Sequence, residues 1–252
     1  MTVDPAPASP ALRSSAPRVP AARLGVAVVH DLVTEIVTGE VAPGEALPTE
    51  ERLAQHFGVS RTVIRESVKR LEEKGLITPT PGRGTIVEPT TSWNILDSVV
   101  LSVMLENDDS LGVLDDLAVI RGALEGAMAA ATASRHSDDE IAQVLSSLEE
   151  MERTVDDLDE FPDADLRFHF LVMTLSRNQL ASNITKILFT RARQSARFLG
   201  HQTSDAHQIT LDEHRRVYEA IATGDVAGAE QAMRSHIIDA WQRRRFPTRR
   251  ET

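Results

Sequence analysis

The stretch PGEALPTEERLAQHFGVSRTVIRESVKRLEEKGLITPTPGRGTIVEP, residues 43–89, decides the fold. Its apolar residues change period along the way. Leu53, Ala54 and Phe57 recur at helical spacing and stop at Gly58. Val63, Ile64, Val68 and Leu71 form a second helical stripe that stops before Gly75. Leu76 to Thr78 and Thr85 to Val87 then read as two short strands joined by PTPGRG. Thr49 stands where it can cap the first helix, with Arg52 at the position where a capping box prefers Glu or Gln. Ser60 stands where it can cap the second helix. Only Val59 separates Gly58 from Ser60, so the two helices meet at the steep angle of a helix-turn-helix. Upstream, Val28, Val29, Leu32, Ile36 and Val37 predict another helix over residues 23–38, ending before Gly39. The order is helix, helix, tight turn, helix, hairpin, which is a winged helix-turn-helix over residues 23–88.

The third helix carries a chemistry that suits DNA. Arg61, Arg65 and Lys69 recur every four residues and share a face beside the apolar stripe, so the helix can pack on its domain and still enter a groove. Arginine near the N-terminus of such a helix is the residue type that grips guanine with two hydrogen bonds. Ser60 and Thr62 are placed to bond phosphates. At the hairpin tip, Gly82 and Gly84 permit close approach to a backbone, and Arg83 can reach a minor groove. A basic run alone is more often a solvated helix face. The tight turn, the adjacent stripe and the glycine-flanked wing favour DNA together.

Composition sets the remaining bounds. The chain has 252 residues, 41% hydrophobic but only 4% aromatic, so Ala, Leu, Val and Ile fill the core and packed helices are expected. The lack of cysteine excludes disulfides, thiolate metal sites and cysteine nucleophiles, and is consistent with a cytoplasmic protein. Residues 1–22, with five prolines among Ala and Ser, read as a disordered tail rather than a signal peptide. No apolar run approaches the roughly 20 residues of a membrane span. The net charge of −11 is unevenly spread: residues 1–90 hold 10 basic and 11 acidic side chains, residues 91–252 hold 17 and 27. The acidity therefore lies away from the DNA-reading segment.

From residue 91 the helical period dominates. Helices are expected near 111–134, 138–158, 161–177, 180–200, 205–223 and 225–245, with a connector over 89–110 that includes a helix near 93–105. Asp165 and His169 lie four apart on one helix face, and His214 and His236 fall on later helices. One carboxylate and three imidazoles suit a divalent transition metal, zinc first, with nickel or another as alternatives. Facing helices can hold such an ion inside a bundle. Spacing alone favours ordinary packed or surface roles for these residues.

Two resemblances add to these readings. The stretch PGEALPTEERLAQHFGVSRTVIRESVKRLEEKGLI followed by TPTPGRGTIV resembles the DNA-binding domain of the GntR family, and the likeness covers about residues 24–88. That likeness implies a homodimer on a pseudo-palindromic operator, with Arg61 and Arg65 reading bases, Ser60 and Thr62 on phosphates, and Gly82, Arg83 and Gly84 as the wing tip. Many members carry Arg at the position of Glu51; here Glu51 precedes Arg52, the residue left to substitute. The segments VIRGALEGAMAA, DLRFHFLVMTLSRNQL, EHRRVYEAIATGD and AEQAMRSHI are similar, in order, to the FCD subfamily over roughly 111–240. The similarity implies a metal held by Asp165, His169, His214 and His236.

It also places Arg121 opposite an effector carboxylate; a salt bridge to Glu125 is the equal alternative. Asn178 falls near the pocket or ends a helix, and Arg191, Arg193 and Arg197 line the pocket or the surface. The chain thus reads as a mostly helical, ligand-responsive transcription regulator: a winged head, then an all-helical effector domain over 111–246. A repressor released by a small organic or sugar acid is the leading expectation. A metal-responsive regulator and a metal-dependent hydrolase are the alternatives.

Overall fold

A computed structural model describes residues 21–195, 198 and 204–245. The expected tail, apart from the backbone of Ala21 and Ala22, lies outside the described residues, as does Arg197. The chain divides into two compact units, residues 1–92 and 93–252.

The first unit has α1 (Ala21–Val37), α2 (Glu50–Phe57), α3 (Arg61–Glu73), β1 (Ile77–Thr80) and β2 (Gly84–Val87), then a 3-10 turn at Thr90–Ser92. Its core is the apolar stripe of each element: Leu32, Val33 and Ile36 of α1, Leu53 of α2, Ile64 and Leu71 of α3, and Leu76 and Ile77 entering β1. The turn follows from capping chemistry. Gly58 sits at φ 63°, left-handed backbone that costs glycine little, and Ser60 Oγ accepts from Val63 N–H to start α3. Thr49 likewise caps α2, accepting from the N–H of Arg52. The strands pair antiparallel, Ile77 opposite Val87 and Thr80 opposite Gly84. Ala46 bridges to Ile86, which ties the loop after α1 to the wing.

The second unit has α4 (Ser98–Asn107), α5 (Gly112–Ala133), α6 (Asp138–Thr154), α7 (Phe161–Leu175), α8 (Gln179–Gln194), α9 (Ser204–Ala222) and α10 (Val226–Arg245). Helix α10 packs along both α5 and α9. At Gly126 a Cβ would come within 3.0 Å of the Glu230 carbonyl, so glycine there allows the close approach of α5 and α10. One apolar cluster, with Phe168, Val172, Met151, Val217, Ile221 and Met233 fully buried, joins α6, α7, α9 and α10.

Several boundaries differ from the sequence expectation for local reasons. Helix α4 starts at Ser98 rather than near 93, because Asp97 accepts from the N–H groups of Val99 and Val100. Helix α6 ends at Thr154 rather than 158; Asp157 instead forms a turn that caps Asp159 and Glu160. The start of α6 is a full capping box between Ser137 and Glu140. No helix among the described residues is long and apolar enough to cross a membrane.

Candidate metal centre and nucleic-acid interface

In the first unit, α3 presents the basic face that its four-residue spacing dictates. Arg61, Thr62, Arg65 and Lys69 are exposed, while Ile64, Ser67 and Leu71 on the other side are buried. Arg65 reaches Glu50 at 3.4 Å and Lys69 lies 4.0 Å from Glu73, both solvent-exposed pairs of little energetic weight that a phosphate or base can displace. Ser60 and Arg52 are exposed at the helix starts. Gly82 and Gly84, at φ 75° and 89°, turn the wing so that Arg83 stands exposed at its tip.

In the second unit, Asp165 and His169 of α7, His214 of α9 and His236 of α10 come together in a buried group, with one ligand atom from each lying within 4.8 Å of the others. The geometry follows from what stands behind each imidazole. His169 Nδ1 is 2.6 Å from Glu125 Oε2, His236 Nδ1 is 2.8 Å from Glu213 Oε2, and His214 Nδ1 is 2.8 Å from the Thr210 carbonyl. All three partners are acceptors, so each Nδ1 carries a proton, and in the neutral ring that leaves Nε2 with a lone pair. These lone pairs converge: Nε2 of His169 and His236 are 3.2 Å apart, and His214 Nε2 lies 3.3 Å from Asp165 Oδ1.

Three lone pairs and a carboxylate facing one another repel unless a cation sits among them. Protons do not supply that cation readily. Burial, followed by the neighbouring His236, holds His214 down at about 3, so its imidazole is neutral at ordinary pH. Burial also leads the causes that lower His236, against the pull of Glu213. For Asp165 burial acts upward, but the positive charge that the three imidazoles carry when protonated, and then that of Arg244, outweigh it and hold its carboxyl below the usual range. Asp165 Oδ1 and His214 Nε2 are buried without a hydrogen-bond partner, as are Glu125 Oε2 and His169 Nδ1, whose 2.6 Å approach is an ion-pair contact without hydrogen-bond alignment. A neutral-imidazole and carboxylate donor set of this kind fits a divalent ion of intermediate softness.

Two carboxylates complete the centre. Glu125 also receives Arg121 Nε at 2.8 Å; burial acts to raise it, yet Arg121 and His169 hold it at about 2. Glu213 accepts both ends of the Arg243 guanidinium at 2.7 Å each; burial again opposes, while His236 and Arg243 hold it at about 2. Sequence reading named Glu125 only as a partner for Arg121 and missed Glu213, whose signal is its position next to His214. Both bond the Nδ1 side of an imidazole, away from the converging Nε2 atoms, so neither is placed as a general base for water at the centre.

A pocket opens on Asp165, walled by Phe161 and Phe189 and bordered by Arg193, Arg243 and Arg244. Arg121 is not among its walls. Its guanidinium is buried and lies 3.5 Å from the centroid of Phe189, bonded to Glu125. Asn178 is exposed and caps α8, accepting from Ala181 N–H at 3.1 Å. Arg191 bonds Gln194 on the surface side, whereas Arg193 turns to Asp163 and the Pro162 carbonyl at the pocket edge. Arg243 and Arg244, absent from the sequence-based candidates, sit in the basic last turn of α10.

Comparison with known proteins fits both units. Residues 24–87 match the model for bacterial regulatory proteins of the gntR family, and residues 116–239 match the FCD domain. The galactonate operon transcriptional repressor of Escherichia coli (strain K12) is 33% identical over 77% of this chain and 85% of its own. The HTH-type transcriptional regulator LutR of Bacillus subtilis (strain 168) is 27% identical over 75% and 86%. Among solved structures, Lar, which controls the expression of the Listeria monocytogenes agr system, aligns with a TM-score of 0.54 at 22% identity. That alignment covers 87% of this chain and 95% of that one, and the likeness is one of fold. The chain therefore belongs to the GntR family, with an FCD domain as its C-terminal half, and is a DNA-binding transcription regulator rather than an enzyme.

Proposed function

We propose that this regulator is a homodimeric repressor that a small carboxylic acid releases from a pseudo-palindromic operator. The acid binds in the pocket beside a divalent metal, zinc first, held by Asp165, His169, His214 and His236. The observation that carries this reading is the set of three lone pairs and one carboxylate aimed at a common point beside an arginine-bordered pocket. A divalent ion there supplies positive charge that accepts carboxylate and hydroxyl oxygens. Glu125, Glu213 and the Thr210 carbonyl orient the imidazoles for it. The aromatic walls lower the polarity around the pocket, which strengthens each ionic contact.

On the DNA side, Arg61 and Arg65 read base edges in the major groove while Ser60 and Thr62 bind phosphates. Arg52 meets the backbone from α2, and Gly82, Arg83 and Gly84 bring the wing to the minor groove. Two heads at fixed spacing read a symmetric site, and an acid shifts operator affinity only if it favours one arrangement of the heads. The relation to a galactonate operon repressor supports a sugar acid as first ligand to try.

The test is operator binding by fluorescence anisotropy, with zinc-loaded and metal-stripped protein, titrated with galactonate and other hydroxy acids. Acid-driven release that requires zinc supports the reading. Release by zinc alone, unaffected by any acid, would replace it with a metal-responsive regulator.

A further inference from the structure

The guanidinium groups around the pocket are not equivalent. Arg193 is satisfied by Asp163 Oδ1 at 2.9 Å and the Pro162 carbonyl at 2.7 Å. Arg243 is engaged at both ends by Glu213, and Arg121 is bonded to Glu125 behind Phe189. Arg244 differs: among the described residues no carboxylate or carbonyl bonds it. Its guanidinium carbon lies 5.0 Å from the centroid of Phe198, which in turn stacks on Trp241 with planes 6° apart. The ring holds one face of the guanidinium, so its N–H edge stays available. The side chain is partly exposed, and its guanidinium nitrogens are not among the buried polar atoms left without a partner, so the charged end meets the open pocket. Burial first, and then the repulsion of Arg121, Arg243 and Arg193, push Arg244 down to about 10, with Asp165 opposing. It remains charged at neutral pH, and an anion entering the pocket meets there a guanidinium that no carboxylate of the described residues bonds.

Asp165 is the carboxylate whose charge acts on Arg244, and it is one of the four candidate metal ligands. A divalent ion held by Asp165 would offset that attraction and leave Arg244 as positive charge facing the pocket.

We propose that Arg244 is the residue that receives the ligand's carboxylate in this pocket, and that the ligand is a compact hydroxy acid packed against Phe189 and Phe198 with its carboxylate forked by Arg244. The proposal rests on the acid-sensing reading above and names its anchor. Forked recognition suits Arg over Lys, because the planar group meets both carboxylate oxygens. A neutral sugar of the same size gains nothing from it.

The test is isothermal titration calorimetry on the zinc-loaded full chain with galactonate, lactate and the neutral sugar galactose, each also titrated into Arg244→Gln and Arg244→Lys. Zinc content is measured on every sample. Arg244→Gln should keep its zinc and bind the acids about tenfold or more weakly, the scale of a lost charged hydrogen-bond pair. Arg244→Lys, which preserves the charge and much of the stem if the glutamine variant fails to fold, should bind them several-fold more weakly. Galactose should bind none of the three. Acid binding by the wild type that either folded, zinc-loaded variant retains in full overturns the role of Arg244 and leaves the acid-sensing reading standing. A zinc-loaded wild type that takes up neither acid overturns that reading, and the assignment of Arg244 falls with it.

Discussion

In the first unit the charged side chains that matter are displayed. Arg65 and Lys69 are 70% and 67% exposed, and their acidic partners are loose and wet. In the second unit they are enclosed: the side chains of His214, Glu125 and His169 are 0%, 1% and 2% exposed, and each has a partner fixed by packing. The difference reflects two solvents. A nucleic-acid surface brings its own counter-charge, so a basic helix face can wait in water at little cost. A centre inside a helical bundle must have its charges compensated by the fold, which is why Glu125 and Glu213 stand behind imidazoles and arginines alike. A net charge of −11 is compatible with DNA binding because the excess acid belongs to the residues after 90.

Acid should separate the two regions most strongly. In metal-stripped protein His214 titrates at about 3 when folded, against about 6.5 for an unperturbed histidine. Between those values the unfolded chain binds the extra proton, so stability is intact above about pH 6.5 and is lost as pH falls toward 3. The loss is on the order of several kcal/mol. Among the described residues of the first unit no histidine is buried. Circular dichroism melts across that window should therefore show the acid-sensitive transition in the helical unit; a pH-independent melt would break the contrast.

Arg65→Ala probes the displayed side. It should cost about 1–3 kcal/mol of specific operator binding, relax base preference and leave the melting temperature unchanged. Unchanged operator affinity in an anisotropy titration would remove α3 from the role of reading helix. Glu213→Ala probes the enclosed side at one remove from the ligands. Freeing the His236 ring should weaken metal affinity about 10- to 100-fold in a chelator competition. Wild-type affinity would mean that His236 is held by packing alone.

The same contrast governs what the sequence revealed. The first unit was legible almost residue by residue, because turns, caps and the strand pair are local: Gly58, Ser60, Gly75 and the glycines around Arg83 act within a few residues of themselves. The four candidate ligands were legible only as a spacing and a resemblance, since they meet across α7, α9 and α10. What stood behind them was not. Glu213 pairs with His236 on the next helix, and its place beside His214 in the chain marks it as close to the centre without showing which imidazole it meets. Arg121 could be read either as a pocket cation or as a partner of Glu125; helical spacing put Glu125 within reach, and the structure places the pair together behind Phe189. Arg243 and Arg244 looked like ordinary basic residues in a last helical turn. Their direction depends on how α10 lies against α5 and α9, which no local pattern encodes.

The central claim about the second unit is that its converging imidazoles hold a metal. Elemental analysis of the wild-type chain and of the His214→Ala/His236→Ala variant, purified side by side and dialysed, tests it directly. The account predicts about one divalent ion per chain in the wild type and essentially none in the variant. Equal metal content in the two, whether both loaded or both empty, would contradict it.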